Sequence, residues 1–199
     1  MNRLMKIVAP RRQRGFTLIE LSIVALILLV LAVVGVPSIQ SLLIENRAPA
    51  AARDLQSAAV KIRQVRAANG AIATPYTGIA IAELGSMLRG SSYEVTPAAP
   101  AAATAIAHSI GSGDATPSVT IAAGTLAIAG DSFTVSLADV ARAACASFAS
   151  TFARQAEVIA ITPAGGGSAA TVKAAGGTFS AQAAQTTCAD SNTIALTFR

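Results

Sequence analysis

The 199-residue chain has no tryptophan, two tyrosines, six phenylalanines, one histidine and two cysteines. Beyond its first third it is rich in alanine, glycine, serine and threonine. A core of such residues buries little area, and at about 25 cal/mol per Å² of apolar surface it is weak and needs a staple. His108 sits in an Ala/Gly/Pro stretch with no Cys, Asp or Glu at ligand spacing. A solvated loop histidine is therefore expected, rather than a metal ligand or catalytic base. The absence of CxxC excludes a dithiol redox motif. Gly165-Gly166-Gly167 is not followed by Lys and Ser/Thr, so it reads as a turn and not a phosphate loop. Gly113-Asp114 and Gly130-Asp131 are turn signals with too few oxygens nearby for calcium. With no Ser/His/Asp grouping and no paired carboxylates, the chain is expected to be neither an enzyme nor a cofactor carrier.

Acids are missing from residues 1–15, which carry Arg3, Lys6, Arg11, Arg12 and Arg14. These are five of the fifteen basic side chains, leaving ten bases against ten acids in residues 16–199. The net charge of +5 thus belongs to the N-terminus and not to a nucleic-acid-binding face. A basic stretch before an apolar one keeps an N-terminus cytoplasmic, or forms part of a targeting peptide.

Every residue of 21–36 except Ser22 is apolar or glycine. With 16–19 the run reaches about 21 residues, and at about 1.5 Å each it spans about 30 Å, one hydrocarbon core. Glu20 interrupts it. An ionised acid at bilayer depth costs roughly 2.5–3.5 kcal/mol on insertion scales and is functional by default. Three readings compete. A cleaved secretory signal has these regions, but the run is too long and Val33-Val34-Gly35 is a poor cleavage site. A plain single-pass anchor leaves Glu20 unexplained. A cut after Gly15 would free an amine on Phe16, one helical turn from Glu20, and the two charges could pair within one chain or between neighbours.

The stretch RGFTLIELSIVALILLVLAVVGVPSI resembles the class III signal and N-terminal helix of type IV pilins. The likeness rests on a basic leader ending in Gly15, on Phe16, on the following Thr-Leu-Ile-Glu, and on Pro37. It implies cleavage between Gly15 and Phe16 by a prepilin peptidase, N-methylation of Phe16, and an assembly role for Glu20 and Pro37. Glu20 would pair with the amine of an adjacent subunit. Removing the partner of a dry charge costs about 3–5 kcal/mol, so register errors would be penalised. The leader length resembles the type IVb branch, whereas Phe16 is more usual in type IVa. The implied partners are the inner membrane before assembly, further subunits in a homo-polymer, and the pilus assembly machinery. The implied location is the bacterial inner membrane, then an extracellular pilus.

Apolar residues recur at Ile39, Leu42 and Leu43 and again at Leu55, Ala58, Ala59, Ile62 and Val65, one face of a helix. Arg53, Lys61, Arg63, Gln64 and Arg66 fall mostly on the other side, and Asn69-Gly70 is a stop signal. The helix is expected over 16–68, about 80 Å long, bent at Pro37 and Pro49. Alternatively Pro49 ends one helix and starts another. A short helix is expected over 78–89 and irregular chain over 94–117. A strand and hairpin set is expected over 118–136. Ser136 with Asp139 reads as the start of a helix over 137–155. EVIAIT and NTIALTF read as strands.

Outside the cytoplasm Cys145 and Cys188 are most simply a disulfide, closing a loop of about 44 residues worth about 4 kcal/mol. Two unrelated buried thiols are the alternative. The pairing resembles the bridge that bounds the C-terminal region of pilins. The expected fold is α+β: a long N-terminal helix, half transmembrane and half amphipathic, packed on an antiparallel sheet, as in pilins. The expected parts are a leader (1–15), the long helix (16–68, with 16–37 in the membrane or filament core) and a head (69–199). The expected function is a major pilin polymerised into a surface filament for adhesion, motility, aggregation or DNA transfer. A minor pilin or type II secretion pseudopilin is the near alternative, and a non-polymerising membrane-anchored binding module the distant one.

Overall fold

The computed structural model describes residues 15–68, 73–113 and 115–199, with backbone alone at 34–38. The leader arginines and lysine, Asn69-Gly70, Asp114 and the Pro37 side chain lie outside the described residues. The chain divides into two units, Met1–Ile39 and Gln40–Arg199.

Helix α1 runs over Leu18–Ala68, two residues shorter at its start than expected. It is helical through both Pro37 and Pro49, so Pro49 does not separate two helices. Proline removes one donor, but buried Ala48, Ala51 and Ala52 anchor the chain on either side of Pro49. The expected stripe is buried at Leu55, Ala58, Ala59 and Ile62, while Val65 remains exposed. Arg53, Lys61 and Gln64 face solvent. Arg63 and Arg66 do not: both flank the stripe and are half-buried. Arg63 donates to Gln155 O at 3.0 Å and sits over the Phe198 ring. Arg66 forms a two-pronged ion pair with Glu83.

In the second unit, α2 (Ile81–Leu88) falls where expected. The segment expected to be irregular instead holds two short antiparallel strands, β1 (Glu94–Thr96) and β2 (Ala105–Ala107), with Val95 opposite Ile106. Three residues are too few to display alternation, so tertiary contact decides this pairing. A five-stranded antiparallel sheet follows, of β3 (Ser118–Thr125), β4 (Ala129–Ala141), β5 (Val158–Pro163), β6 (Ala170–Lys173) and β7 (Ser191–Phe198). Its order is β3-β4-β7-β5-β6, which places the C-terminal strand at the centre. Helices α3 (Arg142–Thr151) and α4 (Ala181–Thr187) complete the head, α4 being capped by the Ser180 hydroxyl. The fold is α+β, an N-terminal helix followed by an antiparallel sheet, consistent with the pilin fold.

Helix α3 corrects the expected start at Ser136. Residues 136–141 continue β4, where Leu137 is paired with Val119 on one side and Ile194 on the other. Two ladders of backbone hydrogen bonds outweigh a local capping signal. Asp139 sits at a bulge with φ of 63°.

The scarce aromatics are concentrated. Phe133, Phe148, Phe152 and Phe198 are all fully buried. Their rings form a chain, with centroids 5.2 Å apart for Phe133–Phe198, 6.0 Å for Phe152–Phe198 and 5.1 Å for Phe148–Phe152. The same buried cluster takes in the alanine-rich stripe of α1 and the inward residues of β4, β5 and β7. The Cys145–Cys188 disulfide joins α3 to the residue before β7's approach, with Cα atoms 6.0 Å apart.

Candidate functional site

Gly15 and Phe16 precede α1, and Thr17 caps it. The helix then starts on a cap that spacing alone could have disclosed. The Glu20 N–H donates to Thr17 Oγ1 at 3.3 Å and the Leu21 N–H to Thr17 O at 3.1 Å. Thr-x-x-Glu is the spacing of a capping box, with Thr17 at the cap and Glu20 at its third position. An acid in the first turn also favours the helix dipole, by about 0.3–1 kcal/mol. Glu20 is thus at home at a helix start, whatever else it does.

Beyond the cap the helix surface is apolar and uncovered. Phe16 is 80% exposed, Leu18 88% and Val33 69%, and Ile39, Leu42 and Leu43 remain at least half exposed. Between residues 16 and 44, Glu20 is the single charged side chain. A helix apolar all round is one that is covered by lipid or by other protein. Among the described residues, no helix is long and apolar enough to cross a membrane; the run expected to do so passes through 34–38, where only the backbone is described. Pro37 lies within α1.

In the head, two buried carboxylates organise turns. Asp131 accepts the N–H groups of Leu126, Ala127 and Ile128 at 2.8–3.2 Å at the β3–β4 hairpin. These bonds, that from Leu126 foremost, hold its pKa down at about 2 against burial. Asp139 accepts from the hydroxyls of Ser112 and Ser191 and from the Gly113 N–H. Burial raises its pKa, but these bonds, with one from Ala115, bring it below the ordinary carboxylate value. Spacing did not point to Asp139, whose local signal was that of a helix start.

His108 is not solvated. It is 5% exposed, with Nε2 2.7 Å from Ala138 O and Nδ1 buried without a hydrogen-bond partner among the described residues. The Gly165-Gly166-Gly167 triplet forms the turn between β5 and β6. Among the described residues no group of three or more His, Cys, Asp or Glu is placed to hold a metal ion.

Residues 10–36 match the model of the prokaryotic N-terminal methylation motif. No curated protein matches the chain. The matched motif is the class III signal peptide of type IV pilins and prepilins, and the chain carries it. A motif of this kind supports a type IV pilin-like or pseudopilin reading. It implies processing by a prepilin peptidase and assembly into pilus-type machinery, with membrane insertion followed by surface assembly.

Proposed function

We propose that the chain is a structural subunit, the major pilin of a type IV pilus, with no catalytic activity of its own. The observation that carries this reading is the uncovered apolar surface of α1 beginning at Phe16, with Glu20 as its one charge. The Gly15–Phe16 peptide precedes the helix ladder, as a scissile bond must to enter a peptidase in extended form. Cleavage leaves an ammonium on Phe16 beside the cap at Thr17, and N-methylation keeps that charge. The apolar surface enters the bilayer, and then the filament core, with Pro37 in its final turns. Glu20 of each incoming subunit pairs with the ammonium of a neighbour. In an apolar surrounding an unpaired carboxylate is strongly disfavoured, so only the stagger that pairs both charges is stable. Interfaces of this head-to-tail kind propagate and do not close. Neutral side-chain charge in residues 16–199 lets many copies stack without accumulating repulsion.

Glu20→Val tests the reading. The variant is expected to insert in the membrane and to yield no sheared surface fibres. Normal fibres from it would remove the proposed role of Glu20. Abundance of the wild-type chain in such fibres separates a major pilin from a minor pilin or pseudopilin.

A further inference from the structure

The five strands of the large sheet hold three charged side chains, Asp131, Asp139 and Lys173. All three are engaged within the fold. Asp131 and Asp139 are buried and accept the hydrogen bonds described above, and the Lys173 ammonium donates to Ala156 O. Val135 and Leu137 of β4 and Ile194 and Leu196 of β7 are buried, so the residues that alternate with them form the opposite face of the sheet.

Register sets that opposite face in rows. Thr120 lies against Ser136, Ser136 against Ala195, Ala195 against Ala160 and Ala160 against Thr171, five strands across with no charge and no side chain larger than threonine. In the row on one side the Thr134 and Thr197 hydroxyls bond each other at 2.9 Å, and in the row on the other Thr193 lies against Thr162. The side chains of the middle row are half-buried or exposed. A surface kept in water is ordinarily about a quarter charged. This one has the character of a surface meant to be covered.

Size and chemistry together name the occupant. Strands about 4.8 Å apart and rows about 7 Å apart give a face of roughly 24 by 20 Å over five strands and three rows. Two such faces in contact remove about 1,000 Å² from water, the size at which a specific interface begins. The partner must itself be flat, uncharged and small in its side chains. A charge would be buried unpaired, and a large side chain would hold the surfaces apart. The chain itself carries one such surface. We infer that this face docks on the same face of a second copy, across a twofold axis near Ala195, with the strands of the two sheets about 30° apart. Hydroxyls that already bond each other, as Thr134 and Thr197 do, lower the cost of drying the contact. An isologous pair closes with two copies and does not propagate. It is therefore separate from the head-to-tail contact proposed above and does not rest on it.

Both native cysteines are held in the disulfide, so an introduced thiol is unique. Full-length Ala195→Cys and Gln182→Cys, the latter exposed on α4 outside the face, are treated in detergent with a bismaleimide of two-carbon spacing, and formation of cross-linked dimer is timed. Ala195→Cys is expected to cross-link about tenfold faster than Gln182→Cys. Adding Ala160→Glu, which buries a charge in the contact, is expected to remove that advantage. Melting temperature shows that each variant is folded, and Ser136→Glu, on the other side of Ala195, replaces Ala160→Glu if that variant is not. Equal rates for the two thiols would show that chains meet through another surface, such as α1, and would overturn the assignment. An undiminished rate in a folded glutamate variant would overturn it as well.

Discussion

The Ser191 hydroxyl donates a 2.9 Å hydrogen bond to the Asp139 carboxylate. This joins the first residue of β7 to the bulge of β4, and the same carboxylate holds Ser112 and Gly113 of the neighbouring loop. One acid thus ties the C-terminal strand, the strand beside it and the loop that follows β2. Asp139→Ala leaves several donors without an acceptor, and a loss of about 3 kcal/mol is expected in urea titration of the full chain in detergent. Asp139→Asn tolerates the positive φ and retains one acceptor, so its loss is expected to be smaller. Equal stability of Asp139→Ala and wild type would remove the carboxylate from this role.

His108 makes stability depend on pH. Burial lowers its pKa, against the raising effects of the Ala138 carbonyl and the Asp139 charge. The unfolded chain binds a proton near pH 6.5, roughly, and the folded chain only at lower pH. Stability is therefore complete above about pH 6.5 and declines as pH falls below it. His108 is the only histidine, so a falling melting temperature between about pH 7 and 5 is assigned to it. His108→Gln, whose amide can still donate to Ala138 O, is expected to flatten that slope. An unchanged slope in the variant would place the proton uptake elsewhere.

The Cys145–Cys188 bridge spans a sequence separation of 43 and closes the region holding α4, β5 and β6. Chain entropy assigns a loop of this length about 4 kcal/mol. Reduction, or the Cys145→Ser/Cys188→Ser pair, is expected to lower unfolding free energy by about that amount in chemical denaturation. A change well under about 1 kcal/mol would show that the aromatic cluster suffices without it.

Gly85 in α2 faces Ala103 so closely that a Cβ would lie 2.2 Å from the Ala103 Cβ. Overpacking of this kind costs about 1–3 kcal/mol, the loss expected for Gly85→Ala in thermal melting. Adding Ala103→Gly removes the opposing atom, and the double variant is expected to recover most of the loss. Additive losses would mean that the helix, and not this contact, is what the substitution disturbs.

Much of this architecture was legible because it is periodic or local. The Leu55-Ala58-Ala59-Ile62 stripe, the β3–β4 hairpin and the final strand each carry their pattern in consecutive residues. What escaped depends on partners far along the chain. The four clustered phenylalanines lie between positions 133 and 198, and no spacing rule joins them. Burial of His108 follows from its contact with Ala138, thirty residues away. Asp139 imitated a helix start because a cap is read locally, whereas β4 is extended by strands on both sides. Strands β1 and β2 and helix α4 are too short to announce themselves. At the candidate site, Glu20 stands out in the sequence as a lone acid in an apolar run, and the Thr17 cap that seats it lies in the same Thr-x-x-Glu spacing.

The central claim is that this helix is released by one cut and assembles through the amine so created. Mass spectrometry of the N-terminal peptide from sheared surface material measures this most directly. The account predicts a peptide that begins at Phe16 and carries one added methyl group. Surface material in which residues 1–15 are retained would contradict it.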